Sequence, residues 1–166
     1  MENFVHLPES DHVIIGGYGR VGKTIARMMQ AHNIEYVVIE NNREVVVAAH
    51  KRDANVMFGD CTKMHMLYRC HIDSAKLAVL TFHSLDVARD TVEHIRASGV
   101  DVPIIVRIRE QGDFAELISV GANLVVPEML EGSLIIGRYA LNYFELEQEE
   151  IDQTVDLERE TQLSRL

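Results

Sequence analysis

Short apolar runs alternate along the chain with segments in which apolar positions recur every three or four residues. "HVIIGG" (12–17) is a continuous apolar run, and the helical period follows it from about Val21 to His32. The same couple then repeats. Strands are predicted over "EYVVIE" (35–40), "NVMFGD" (55–60), "KLAVLTF" (76–82), "PIIVRIR" (103–109) and "NLVVP" (123–127). Helices are predicted over 42–53, over a short stretch at 62–70, over 85–99 with Gly99 as a C-cap, over 112–121, and from about Leu130 to Phe144. The strands read as unbroken apolar runs rather than alternating ones, the mark of parallel strands covered on both faces. Six strand–helix couples predict an α/β fold, a Rossmann-like doubly wound parallel sheet. Right-handed crossovers and the glycine turn after the first strand favour the strand order 3-2-1-4-5-6. The expected organisation is an N-terminal lead (1–10), a nucleotide-binding body (11–129), a terminal helix (130–144) and an acidic tail (145–166).

Gly17-Tyr18-Gly19-Arg20-Val21-Gly22 fits G-x-G-x-x-G between a strand and a helix. Gly17 permits the tight turn, Gly19 lets the backbone approach phosphates, and Gly22 allows close packing of helix on strand. The helix N-terminus then offers unpaired N–H groups and a positive dipole end to an anion. Glu40 closes the second strand 18 residues after Gly22, with Asn41 beside it. A carboxylate there accepts bonds from ribose hydroxyls and repels a 2′-phosphate, which disfavours NADP.

Asp60, Cys61 and Thr62 end the third strand, on the adenosine side of the expected crevice. The competing reading makes Asp60 or Thr62 a helix N-cap. Arg107 and Arg109 alternate on the fifth strand and are expected on one face. They form either an anion site at the strand's C-terminal end or salt bridges to neighbouring helices through Glu110 or Glu116. Cys61, His65, Cys70 and His71 fall within eleven residues, but their spacing matches no familiar zinc pattern, and no metal site is expected. A thiol near the ligand offers a mild redox alternative.

Composition changes this picture in few places. Aromatics are 6% and Trp is absent, so the core must be aliphatic. The net charge of -10 argues against nucleic acid as a partner. More than half of that charge lies in "ELEQEEIDQTVDLERETQLSRL" (145–166), with eight carboxylates against two arginines. Two cysteines are too few for a disulfide framework and suit an intracellular setting. No run of about 18 apolar residues spans a membrane and no signal peptide opens the chain, although a soluble domain cut from a larger membrane protein would look the same. No Ser/His/Asp or Cys/His arrangement stands out and no substrate domain follows the six strands, so no catalytic residues are assigned.

Taken together, "VIIGGYGRVGKTIARMM", "VVIENN", "VMFGDCT", "LAVLTF", "PIIVRIRE" and "VGANLVVPE" resemble, in order, the RCK/KTN (TrkA-N) domain, nearest to the cytosolic domain of Kef-type potassium/proton antiporters. Cys61 departs from the Ala usual there. The resemblance implies a non-enzymatic regulatory domain that binds a nucleotide, AMP first, with NAD, NADH, ATP or ADP as alternatives. It implies a homodimer formed through a crossover helix after Pro127, and a potassium transporter domain in the same polypeptide, at the cytoplasmic side of the inner membrane. It also implies glutathione as a second ligand near the Arg107 and Arg109 strand. By motif, Gly17, Gly19, Arg20 and Gly22 would line the phosphates, flanked by Tyr18 and Val21; Glu40 and Asn41 would meet the ribose; Asp60, Cys61 and Thr62 would lie near the adenine. The alternative is a small NAD-dependent oxidoreductase or a fragment of one. A third reading is a dimerisation module whose pocket binds nothing.

Overall fold

A computed structural model describes residues 5–109 and 114–164. Six parallel strands form one sheet: β1 (Val13–Gly16), β2 (Tyr36–Glu40), β3 (Val56–Phe58), β4 (Leu77–Leu80), β5 (Ile104–Ile108) and β6 (Leu124–Pro127). Their order is β3-β2-β1-β4-β5-β6, as expected. Strand β1 lies at the switch point, pairing Val13 with Tyr36 on one side and with Leu77 on the other. The connecting helices are α1 (Arg20–Ala31), α2 (Arg43–His50), α3 (Met64–Arg69), α4 (Leu85–Ala97) and α5 (Phe114–Ser119). Each strand is one to three residues shorter than its apolar run suggests: every one starts a residue later, and β1, β3, β4 and β5 also stop before the run does, where it enters the turn to the next helix. Gly99 has φ +81° and donates its N–H to Arg96 O, one place beyond the α4 C-cap, Ser98.

Side-chain alternation splits the aliphatic residues between two faces. Ile14, Val37, Ile39, Leu80 and Ile104 pack under α3, α4 and α5, while Val13, Ile15, Val38 and Val79 pack under α1 and α2. Each buried Ile or Leu stabilises the sheet by about 1.5–3 kcal/mol. The lead is strapped to the sheet rather than free. His6 N–H donates to Asn55 Oδ1 and Asn55 Nδ2 donates to His6 O, while Val5 and Leu7 reach the larger core.

The C-terminal quarter differs from expectation. Helix α6 runs Glu128–Leu141, beginning directly after Pro127 and stopping short of Phe144. Its first turn holds Glu128 and Glu131, acids that suit a helix N-terminus. The segment expected as an acidic tail contains a sixteen-residue helix, α7 (Gln148–Leu163), packed on α6. Ile151 and Val155, one turn apart, bury against Leu130 and Leu134. Ion pairs Arg138–Asp152 (2.6 Å) and Arg159–Glu131 (2.9 Å) flank that contact. Acid density along 145–160 hides this narrow apolar stripe. The apolar positions of α6 divide between two sides. Leu130, Leu134 and Leu141 face α7, whereas Ile135, Ile136, Tyr139 and, beyond the helix, Phe144 stay exposed. Among the described residues no helix is long and apolar enough to cross a membrane.

Candidate functional site

A cavity of about 530 Å³ opens at the C-terminal edge of the sheet, over the switch point. In open α/β sheets this crevice is where ligands sit, since the flanking crossovers leave on opposite faces. Its floor is the glycine turn. Gly17 has φ +97°, and its N–H is held by Ile39 O. A Cβ at Gly22 would lie 1.9 Å from the Gly17 carbonyl oxygen, so α1 can approach β1 this closely only with glycine there. Gly19 is different: a Cβ there would meet nothing within 4 Å and would project into free space. No side chain caps α1 and its first turn holds no acid, so its leading N–H groups face the crevice without a local partner side chain.

Glu40 is fixed by two backbone donors. Tyr18 N–H donates to Oε2 and Asn42 N–H to Oε1, both at 2.8 Å. The carboxylate is thereby held in one orientation in the cavity lining, and each oxygen keeps a further lone pair as acceptor. Asp60 Oδ1 accepts from Thr62 N–H (2.9 Å) and from its hydroxyl (2.7 Å). The Thr62 hydroxyl bond holds the Asp60 carboxyl below the usual carboxylate range. Neither residue is the N-cap of α3; that position is Lys63, and Asp60 instead closes a turn on itself. Cys61 lines the cavity, yet burial pushes its thiol up to about 12. Burial likewise pushes Cys70 up to about 11. Neither thiol has the thiolate character that a redox role requires. His71, the last of the four residues in that cluster, bonds through Nδ1 to Pro8 O.

The cavity gathers Gly17, Gly19, Arg20, Val21, Glu40, Asn41, Asp60, Cys61, Thr62 and Arg107 from the expected set. Three expected residues do not line it. Tyr18 turns its ring into the core under α1 and α2 and offers the site only its N–H, to Glu40. Gly22 acts beneath the turn. Arg109 lies past the end of β5, where strand alternation no longer governs direction; its side chain is exposed and its carbonyl accepts from Met129 N–H. Among the described residues Arg107 does not pair with Glu116. Its partner is Glu128, with Nε 2.6 Å from Oε2. Glu116 pairs with Arg89, and Glu110 lies outside the described residues.

One wall escaped the sequence reading. Thr81, Phe82, His83 and Ser84, at the end of β4, face the glycine turn across the crevice, with Val87 behind them. Thr81 Oγ1 donates to Gly16 O (2.6 Å), tying this wall to β1. The strand order itself was the available signal, because it puts the end of β4 next to the end of β1. The same order gives the cavity a polarity. Carboxylates Glu40 and Asp60 lie on the β2–β3 side, Arg20 at the centre, and Arg107 on the β5 side. Three strand spacings, ~14 Å, separate the ends of β2 and β5.

A family model, the TrkA-N domain, matches residues 13–128. The protein named K(+) efflux antiporter KefB in Alkalimonas amylolytica is 30% identical over 148 residues, 89% of this chain but 22% of its own length. The chain thus spans under a quarter of that curated relative. The TrkA-N domain of the inner membrane protein ybaL from Escherichia coli superposes with TM-score 0.70 at 30% identity, covering 82% of this chain and 98% of that one. The Shewanella denitrificans Kef CTD, solved in AMP-bound form, shares the fold with TM-score 0.77 at 20% identity over 93% of this chain and 94% of that one. GsuK, solved bound to ADP, aligns with TM-score 0.67 at 25% identity over 81% of this chain and 35% of that one. The glycine turn at the switch point, the acid closing β2 and the family match over most of the length agree: the chain belongs to the TrkA-N domain family.

Proposed function

We propose that this chain is a regulatory nucleotide-sensing domain of a potassium/proton antiporter, that it works as a homodimer at the cytoplasmic side of the membrane, and that it does so without turnover. The observation that carries the reading is the open crevice over the switch point. It joins a carboxylate pre-oriented for ribose hydroxyls to a glycine turn with free space above Gly19 and an uncapped helix N-terminus. Support for the ligand class comes from GsuK, solved bound to ADP, and for the setting from the antiporter relative. AMP is the first candidate, with NAD(H) and ATP or ADP as alternatives. Mass spectrometry of ligand released from purified protein tests the class directly. An adenine nucleotide is expected; its absence, together with flat calorimetric titrations of AMP, ADP and NADH, would remove the reading.

Replacing Glu40 by Ala removes the acceptor for ribose and for the Tyr18 and Asn42 N–H groups. Adenosine ligands should weaken by ~1–3 kcal/mol, the scale of lost charge-assisted hydrogen bonds, and NADPH should gain relative to NADH. Calorimetry with AMP, NADH and NADPH checks this. A wild type that already prefers NADPH removes Glu40 from the ribose site.

The homodimer reading rests on the exposed side of α6, where Ile136 is 71% exposed and Ile135, Tyr139 and Phe144 extend the apolar area. Light scattering at tens of micromolar should give a dimer for the full chain and a monomer for Ile136→Glu, a change that touches no packed core. A monomeric wild type rejects this assembly.

One observation favours the oxidoreductase alternative. His83, a group able to transfer protons, lines the crevice on the far side of the switch point from Glu40. Saturable NADH binding with no oxidation of NADH across a panel of carbonyl substrates decides for the sensor.

A further inference from the structure

Arg107 is the cation on the β5 side of the crevice, and its side chain is only 11% exposed. Its guanidinium is already engaged. Nε donates to Glu128 Oε2 at 2.6 Å and Nη2 pairs with the same oxygen, while Nη1 reaches Phe82 O at 3.5 Å. Glu128 does not line the cavity; it is the first residue of α6. The next residue, Met129, donates its N–H to Arg109 O, so the start of α6 is fastened to the end of β5 at two adjacent points, one ionic and one backbone. Glu128 is 43% exposed and has solvent to turn into, whereas Arg107 is confined to the wall.

We propose that Arg107 is an exchange residue: an anionic group of the bound ligand displaces Glu128 from Arg107, and the released Glu128 loosens the first turn of α6. This deepens the nucleotide-sensing reading and rests on it. The physical basis is competition for one fork of donors. A guanidinium matches a phosphate as well as a carboxylate, and a semi-enclosed site favours the anion with the greater charge. Until it leaves, Glu128 keeps the binding-competent arrangement a minority state, so it weakens apparent affinity by the fraction of molecules in which Arg107 is free. Ligand contacts made only after release are what shift the equilibrium. The consequence is directional. Occupancy at the end of β5 is reported at the root of the helix that carries the exposed Ile135, Ile136 and Tyr139.

The test is a double-mutant cycle read by calorimetry with AMP and ADP, on the wild type, Glu128→Gln, Arg107→Gln and the double variant. Gln at 128 keeps size and removes the charge at a half-exposed position. Glu128→Gln should tighten the nucleotide about five- to tenfold, Arg107→Gln should weaken it about tenfold, and Glu128→Gln should have no effect once Arg107 is Gln. Amide hydrogen exchange gives the second readout: nucleotide added to wild type should speed exchange in the first turn of α6, and Glu128→Gln should show that faster exchange without ligand. If nucleotide binds the wild type but Glu128→Gln leaves affinity unchanged, or tightens it equally in the Arg107→Gln background, the exchange is refuted and the sensing reading survives. Unaltered exchange in α6 on ligand binding refutes it as well. If no nucleotide binds any of the four proteins, the sensing reading falls and the exchange falls with it.

Discussion

Gly19→Asp is expected to abolish nucleotide binding while leaving the fold intact. The two halves of that expectation have separate grounds. A Cβ at position 19 meets no atom within 4 Å, and the residue has φ −74° and ψ −162°, extended backbone that any residue adopts. The side chain therefore enters the crevice rather than the core, and the melting temperature should stay within a degree or two of wild type. Inside the crevice a carboxylate would lie over the N-terminus of α1, where an anion is favoured. It would satisfy the same N–H groups that a phosphate needs and repel the phosphate besides. Steric filling, donor capture and like-charge repulsion all act in one direction, and a loss of at least a hundredfold follows. Gly19→Ala, which fills without charge, should fall between. Calorimetry with AMP and ADP, beside a thermal melt, checks both halves; a Gly19→Asp protein that is folded and still binds with wild-type affinity would place the phosphate elsewhere.

Gly22→Ala, three residues on, is expected to do the reverse: to injure the fold first. Its Cβ would come 1.9 Å from the Gly17 carbonyl oxygen and 2.9 Å from the Gly17 carbonyl carbon, backbone atoms that cannot rotate away. Relief requires α1 to lift from β1, which disturbs the packing of Ile15 and Ala26 beneath it. Overpacking of this kind costs ~1–3 kcal/mol and more where backbone must move. Gly22→Ala should therefore lower the urea midpoint clearly, with any loss of binding following from the displaced helix. Two glycines of one motif thus separate into a space-keeper for ligand and a space-keeper for the fold. Equal urea midpoints for Gly22→Ala and wild type would contradict this division.

The sheet was legible because its strands are buried on both faces, so that runs such as "VIIG" and "YVVIE" carry no alternation to misread. The positions of the glycine turn and of Glu40 were legible because one is a backbone feature and the other marks a fixed strand end. What failed involves direction and distance in space. Arg107 and Arg109 share a face only while the strand lasts, and β5 ends between them, at Ile108. Tyr18 sits within the motif, yet an aromatic ring beside an aliphatic core goes to the core. Glu128 as the partner of Arg107 lies 21 residues away, at the root of a helix that begins earlier than its apolar stripe. The helical form of α7 is hard to read because two buried residues, Ile151 and Val155, suffice to dock it, and they are surrounded by acids.

The crevice draws on residues from Gly17 to Arg107, joined across a β1–β4 pairing that brings Val13 to Leu77. The site is therefore a product of long-range chain closure. The first three strands can offer Glu40, Asp60 and the glycine turn, but no β4 wall and no Arg107. Loop-closure entropy must be overcome before that wall exists, which makes the crevice a late event in folding. A ligand that needs both walls binds no half-sheet intermediate, so its stabilisation, which grows with the ratio of free ligand to Kd, goes to the native state alone. In a cell, nucleotide level would then set the lifetime of the domain against unfolding and proteolysis as well as its signalling state.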